Sequence, residues 1–281
     1  MKPENKSSPG DAVASRKLLR VRGDVAHWED DRLAVEVPVA LNVAGEAFAV
    51  MLVTPCDLRD YALGFCLSEG IVDDSAQLRG VQVRERVEGI ELELDLAPDA
   101  AQRLRGRLRT LEGRSGCGLC GAASMEQVVR VPVSVQSQPR LDRHALRVAL
   151  EALPGLQPIN AACGATHAAA WCDERGDIVV VREDIGRHNA LDKLIGALHA
   201  AAFDPGDGFV LLSSRASYEM VMKAAQVGMA IVVAISAPTS LAVMLAEQAN
   251  VTLVGFARGD DCTIYSHPQR IMAQVPQRPT R

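Results

Sequence analysis

Apolar residues recur at every second position over residues 33–53: Leu33, Val35, Val37, Val39 and Leu41, then Phe48, Val50 and Leu52 beyond Ala44-Gly45-Glu46. This period of two predicts a hairpin. From Asp57 to Ser68 the spacing turns helical. Leu58, Tyr61, Ala62 and Phe65 share a face, Asp57 is placed to cap the start, and Gly70 can close the end. Alternation returns over 81–96 on both sides of Glu88-Gly89, a second hairpin. Residues 102–111 then suit a helix with Leu104, Leu108 and Leu111 inward and Arg103, Arg105, Arg107 and Arg109 largely outward. The first half therefore reads as α+β.

The texture changes at Asp142, which can cap a helix bearing Leu146, Ala149, Leu150 and Leu153 and ended by Pro154-Gly155. Strands are predicted at 167–172 and 178–183 around the turn Asp173 to Gly176. Helix and strand alternate from there: helix 188–200, strand 209–213, helix 217–227, strand 230–235, helix 239–249, strand 251–256 and a last strand at 262–266. Short apolar strands separated by helices need right-handed crossovers, so they form a parallel sheet, and the leading hairpin adds antiparallel strands at one side. The organisation expected is a tail over 1–17, an α+β domain over 18–138, an α/β domain over 139–272 and a second tail over 273–281.

Composition narrows the function. Of 281 residues 48% are apolar and 23% charged, an ordinary globular balance, and aromatics are only 4%, which argues against a base-stacking nucleic-acid platform. Thirty basic against 35 acidic residues give net −5, so global charge draws the chain neither to nucleic acid nor to an anionic membrane. Residues 224–246 run uncharged for 23 positions, enough to cross a bilayer. The Ser236 to Ser240 cluster interrupts that run, and it reads as a buried βα unit. Seven cysteines without a secretory leader point to reduced thiols in a cytosol.

In open α/β sheets ligands sit beyond the carboxyl ends of the strands. Those ends carry Glu183-Asp184 with Gly186-Arg187-His188, then Ser213-Ser214-Arg215, then Ser236, and finally Phe256 to Asp261. Helix N-termini face the same rim, which suits a phosphate or pyrophosphate, so an anionic nucleotide is the expected ligand. The plainer reading is that Asp184, Ser214 and Thr239 only cap helices. The sharpest chemical signal is GRSGCGLCG at 113–121, where Cys117 and Cys120 stand two residues apart among glycines. Five arginines over 103–114 against Glu112 give a local charge of +4 that favours a thiolate. Three readings stay open: a thioredoxin-like redox pair, a zinc site completed by Cys163 and His167, and a mobile thiolate that carries sulfur as a persulfide. A zinc-deaminase pattern at His27-Trp28-Glu29 and Pro55-Cys56 fails because Arg59 stands where its last cysteine is needed. Cys56, Cys66, Cys163, Cys172 and Cys262 read as small buried or half-buried residues.

GRSGCGLCG, THAAAW at 166–171, REDIGRHNALDKLIG at 182–196, SSRASYEMVMKAAQVG at 213–228, ISAPTSLAV at 235–243 and LVGFARGDDCTIYSHPQR at 253–270 together resemble the formate dehydrogenase accessory sulfurtransferase family, FdhD. EVPVALNV at 36–43 and LGFCLSEGI at 63–71 extend the resemblance over about residues 20–272. It implies a C-terminal cytidine-deaminase-like three-layer α/β/α domain with a mixed sheet, without the deaminase zinc, beside a smaller N-terminal α+β domain. It also implies a cytoplasmic homodimer. Such a protein takes sulfur from a cysteine desulfurase and passes it to the molybdenum-bis(molybdopterin guanine dinucleotide) cofactor of formate dehydrogenase. By the same resemblance Cys117 matches the persulfide-forming cysteine, Cys120 its neighbour, and Phe256, Ala257, Arg258, Gly259, Asp260 and Asp261 the segment that contacts the cofactor. Asp260-Asp261 departs from the more basic ending of that segment and leaves Arg258 as its only cation. A cofactor-binding chaperone with purely structural cysteines is the alternative.

Overall fold

A computed structural model describes residues 12–108 and 132–272. Within them the chain is mixed α/β and divides into two units, one formed by Met1–Val131, Gly155–Ala169 and Val181–Phe203, the other by Pro132–Pro154, Ala170–Val180 and Asp204–Arg281.

The first unit opens with a ribbon that apolar spacing does not announce. Strands β1 (Val13–Arg22) and β2 (Val25–Ala34) pair antiparallel in a two-stranded sheet, so residues 13–17 are strand rather than tail. Their pattern is hidden because the ribbon buries little: Leu19, Val21 and Trp28 stay exposed, and charged pairs such as Arg20 with Glu29 and Asp31 line the opposite face. The two predicted hairpins are present as β3 (Val37–Val43) with β4 (Glu46–Val53) and β5 (Leu78–Glu85) with β6 (Ile90–Leu96). A parallel β3–β6 pairing joins them into one sheet of order β4-β3-β6-β5. Helix α2 (Pro98–Leu108) begins earlier than its spacing suggests because Pro98 suits a first helical position.

Helix α1 (Leu58–Ser68) packs on α5 (Arg187–Ala200) through two glycines. A Cβ on Gly64 would lie 1.7 Å from the Asp192 carbonyl oxygen, and one on Gly196 would lie 1.9 Å from that of Asp60. The backbones thus meet with no side chain between them. Ser68 fixes the register by donating to Asp192 Oδ1 at 2.6 Å. Asp57 does not cap α1: its φ is 51° and its carboxylate makes no cap bond, lying 3.8 Å from Arg182 Nε. The short helix α4 (Pro158–Cys163), absent from the sequence reading, is capped by the Glu183 carboxylate, which accepts from the Ile159 and Asn160 N–H groups at 2.9 and 2.7 Å.

The second unit holds the predicted alternation. Strands β10 (Phe209–Leu212), β11 (Ile231–Ala234) and β12 (Thr252–Arg258) pair in parallel, and every residue of β10 and β11 is buried. That is why they read as unbroken apolar runs. Helices α6 (Tyr218–Gln226) and α7 (Ser240–Gln248) connect them, and β13 (Asp261–Ser266) returns antiparallel on β12. With β8 (His167–Cys172) and β9 (Ile178–Asp184), which run from one unit into the other, the strand order is β13-β12-β11-β10-β8-β9. Helix α3 (Arg143–Ala152) starts where expected, Asp142 accepting from the His144 N–H at 2.7 Å. A two-residue parallel pair, β7 (Leu141–Asp142) with β14 (Ile271–Met272), lies near Arg270. The Arg270 guanidinium is fully buried and donates to Thr252 Oγ1 and the Ser137 carbonyl, and burial lowers its pKa. The uncharged run 224–246 resolves into the end of α6, β11 and α7, and no described helix is long and apolar enough to cross a membrane.

The α1–α5 contact gives a direct test. Gly64→Ala forces the two backbones apart and should lower unfolding stability by about 3 kcal/mol or more in urea. Gly155→Ala, whose added methyl meets nothing within 4 Å, should stay within about 0.5 kcal/mol of the native chain.

Candidate functional site

The residues expected at the strand ends fall in both units. In the first unit, the end of β9 is occupied by internal bonds. Lys193 on α5 and Asp184 are both fully buried, with Nζ 2.7 Å from Asp184 Oδ2. The same ammonium donates to the carbonyls of Thr54 and Glu183 at 2.9 and 3.3 Å and lies 3.6 Å from Cys56 Sγ. Asp184 accepts from the N–H groups of Thr54 and Gly186 and from Asn189 Nδ2, and Asn189 also donates to the Leu52 carbonyl. Thr54 Oγ1 takes the Ile185 N–H at 3.1 Å, and Glu183 is held by α4 and by Thr166 Oγ1 at 3.0 Å. Glu183 and Asp184 therefore tie β4, β9, α4 and α5 together and have no side-chain oxygen left for a ligand.

Three basic side chains remain around this knot. Arg187 and His188 form the first turn of α5, and His167 opens β8; all three are half-buried. Burial first, and then the charges of Arg187 and His188, hold the His167 imidazole below its ordinary pKa near 6.5, with Asp184 opposing them. Arg182, just before the knot, pairs with Asp60 at 2.7 Å, and burial raises the Asp60 carboxyl despite that guanidinium.

In the second unit the strand-end turns are stitched together by backbone bonds. Ile235 N–H donates to Leu212 O, Thr239 N–H to Ala216 O, and Phe256 N–H to Ser236 O at 3.2 Å. Ser214 Oγ donates to the Arg215 carbonyl, and Thr239 caps α7 by accepting from the Ala242 N–H, so for Thr239 the capping reading holds. Gly255 is required where β12 passes the turn at Ser236 to Pro238, since a Cβ there would lie 2.7 Å from Pro238 Cδ. Phe256 follows at φ 52°, a conformation that disfavours a bulky side chain, and its ring is 46% exposed. Ala257 is buried and anchors the strand, whereas Arg258, Asp260 and Asp261 are exposed around the turn at Gly259, whose φ is 54°. Asp260 Oδ1 lies 3.4 Å from Arg147 Nε on α3. This hairpin end thus presents an aromatic face, a guanidinium and two carboxylates to solvent, with strained backbone beneath them.

Cys117 and Cys120 lie outside the described residues. Of the arginines near them, Arg103 is committed to Asp73, Asp99 and Gln77, which reduces the free positive charge that the sequence assigns to the pair. The five described cysteines are free thiols. Burial pushes Cys56 up to about 11 despite Lys193, and likewise raises Cys172 and Cys262. Cys163 donates to the Ile159 carbonyl within its own helix. Among the described residues no three metal-ligating side chains come together, and His27, of the failed deaminase pattern, sits on the exposed ribbon against Glu29.

Two outcomes follow from the first-unit knot. Lys193→Met strands a buried carboxylate and should destabilise by about 3–5 kcal/mol in denaturant unfolding, and Asp184→Asn added to it should recover part of that loss. His167 binds its proton less readily folded than unfolded, so its share of stability is present above pH 6.5 and is lost as pH falls below that value. An NMR titration of this imidazole should show a midpoint below 6.5.

A profile of the FdhD/NarQ family matches residues 34–272. The chain is 53% identical over 269 residues to the sulfur carrier protein FdhD of Xanthomonas campestris pv. campestris, covering 96% of this chain and 95% of that protein. It is 50% identical over 259 residues to the protein of the same name from Bordetella bronchiseptica, covering 92% and 94%. A crystal structure from Desulfotalea psychrophila, assigned as a formate dehydrogenase accessory protein, superposes with a TM-score of 0.70 at 20% identity over 93% of this chain and all of that one. That likeness supports the fold, and the matches in sequence establish that the chain belongs to the FdhD/NarQ family.

Proposed function

We propose that this protein is a sulfur carrier for formate dehydrogenase, acting in the cytoplasm as a homodimer. It takes sulfur from a cysteine desulfurase on Cys117 and hands it to a molybdenum-bis(molybdopterin guanine dinucleotide) client. In loading, the Cys117 thiolate attacks the outer sulfur of the donor's persulfide. One S–S bond forms on Cys117 as the donor's S–S bond breaks, and the donor cysteine leaves as a thiolate. Cys120, three residues on, can exchange sulfur with it.

The observation that carries this reading is 53% identity over 96% of the chain to proteins named as sulfur carriers. Three of the thiols elsewhere are poor carriers, since burial disfavours the thiolate at Cys56, Cys172 and Cys262. For the client, Phe256 to Asp261 offers chemistry suited to a guanine: an exposed ring for stacking, Arg258 as a cation, and the Asp260 and Asp261 carboxylates as acceptors for the base's N–H donors.

Incubation with a desulfurase and cysteine should raise the intact-protein mass by one sulfur atom, and Cys117→Ala should abolish the rise. A mass that stays fixed in the native chain would leave only a cofactor-binding chaperone. Phe256→Ala should weaken GDP binding by about tenfold in calorimetry, the loss of one stacked base.

A further inference from the structure

The knot that absorbs Glu183 and Asp184 leaves one guanidinium beside it, that of Arg187, without a matching anion among the described residues. Lys193 is answered by Asp184, and Glu183 is saturated by two backbone N–H groups and Thr166. Arg187 is different: its Nε is buried and has no hydrogen-bond partner among the described residues. A guanidinium N–H removed from water and left unbonded is unfavourable unless something else accepts from it. The chain also sets His167 beside it. Thr166 reaches Glu183 at 3.0 Å, which brings the start of β8 against the end of β9, and Ile185-Gly186 is all that separates that end from Arg187. His188 follows in the same helical turn.

The geometry points to an oxyanion subsite formed by His167, Arg187 and His188 at the start of α5, which takes the diphosphate of a nucleotide or a free phosphate. The residues supply the Arg187 guanidinium, the His167 imidazole with His188 nearby, and the partial positive charge of a 14-residue helix. Asp184, the one carboxylate that acts on His167, is already bound by Lys193, Thr54, Gly186 and Asn189, so it does not block an incoming anion. Burial first, and then the charges of Arg187 and His188, lower the pKa of His167, and a bound anion would offset the part due to those charges. This deepens the proposed function, since it rests on a phosphate-bearing client, and sulfur loading followed by mass reports on that function separately.

The test uses the full chain with inorganic pyrophosphate and GDP as probes. Pyrophosphate should raise the NMR titration midpoint of His167. Arg187→Gln and His167→Gln should each weaken its calorimetric affinity by about tenfold or more, which is the loss of one charged hydrogen bond. Arg187→Lys should keep part of the affinity, and unfolding midpoints establish that each variant is folded. If GDP moves His167 as pyrophosphate does, the source is the nucleotide's diphosphate; if only pyrophosphate does, it is a free phosphate, and either result supports the subsite. A His167 midpoint indifferent to both probes overturns it, and so does native affinity in the two Gln variants. Because the His167 measurement is made on the native chain, a variant that fails to fold does not decide the matter.

Discussion

A lysine ammonium and a carboxylate, both wholly removed from water, sit at the centre of the first unit, and most of its architecture is what their burial demands. Desolvating such a pair is unfavourable by several kcal/mol per ion unless each remaining donor and acceptor is satisfied. Lys193 and Asp184 meet that condition with Thr54, Glu183, Gly186 and Asn189. Those partners come from the end of β4, the end of β9 and the first turns of α5. The pair consequently acts as a specification: only one mutual placement of three elements leaves no buried charge exposed to an apolar neighbour. Cys56 shows the same low-dielectric setting from another side, its thiol held protonated although an ammonium lies 3.6 Å away.

The glycine crossing of α1 and α5 makes that placement possible. With carbonyl oxygens of one helix where the Cβ of the other would be, α5 cannot slide or rotate without a backbone collision. Its start is therefore fixed twice, by the ion pair from within and by Gly64 and Gly196 along its side. Arg187 and His188 inherit that rigidity, which is what a recognition site needs, because groups already held in place lose little freedom when a ligand arrives.

Much of this was legible in the residues, and the failures have physical causes. Period-two alternation located β3 to β6, and unbroken apolar runs located β10 and β11, since in both cases burial writes itself onto the side-chain pattern. The ribbon of β1 and β2 escaped notice because Leu19, Val21 and Trp28 remain exposed, so its apolar positions do not separate a core face from a solvent face. Asp57 is a suitable residue type for a cap, but the left-handed backbone that its position adopts is not visible in the sequence. Glu183 and Asp184 read as rim ligands in the sequence since a carboxylate at a strand end looks the same whether it faces a client or a buried lysine. The lysine nine residues on was the available signal: an ionic side chain inside an otherwise apolar helical face, Ala190, Leu191, Leu194 and Ile195, requires a buried counter-charge. Spacing singles out Cys117 and Cys120 as a reactive pair, the family resemblance assigns their roles, and both lie outside the described residues.

The two units thus divide the work between stability and chemistry in opposite ways. In the first, the charged segment over residues 182–193 is mostly scaffold, with Arg182, Glu183, Asp184 and Lys193 all engaged in internal bonds. In the second, the scaffold is the plain apolar sheet, and the segment proposed to meet the client is a hairpin end where Phe256 adopts an unfavourable φ and remains half exposed. Neither feature improves the fold: an exposed ring gains little from burial, and the strained backbone is unfavourable by about 1–3 kcal/mol. A chain selected for stability alone would place glycine or asparagine there. The backbone bonds from Ser236 to Phe256 and the tight passage of Gly255 past Pro238 hold the strain in place, so the ring is presented in a fixed orientation. Strain that is maintained by its surroundings and relieved by nothing within the unit is the local feature on which the guanine contact proposed for Phe256 rests.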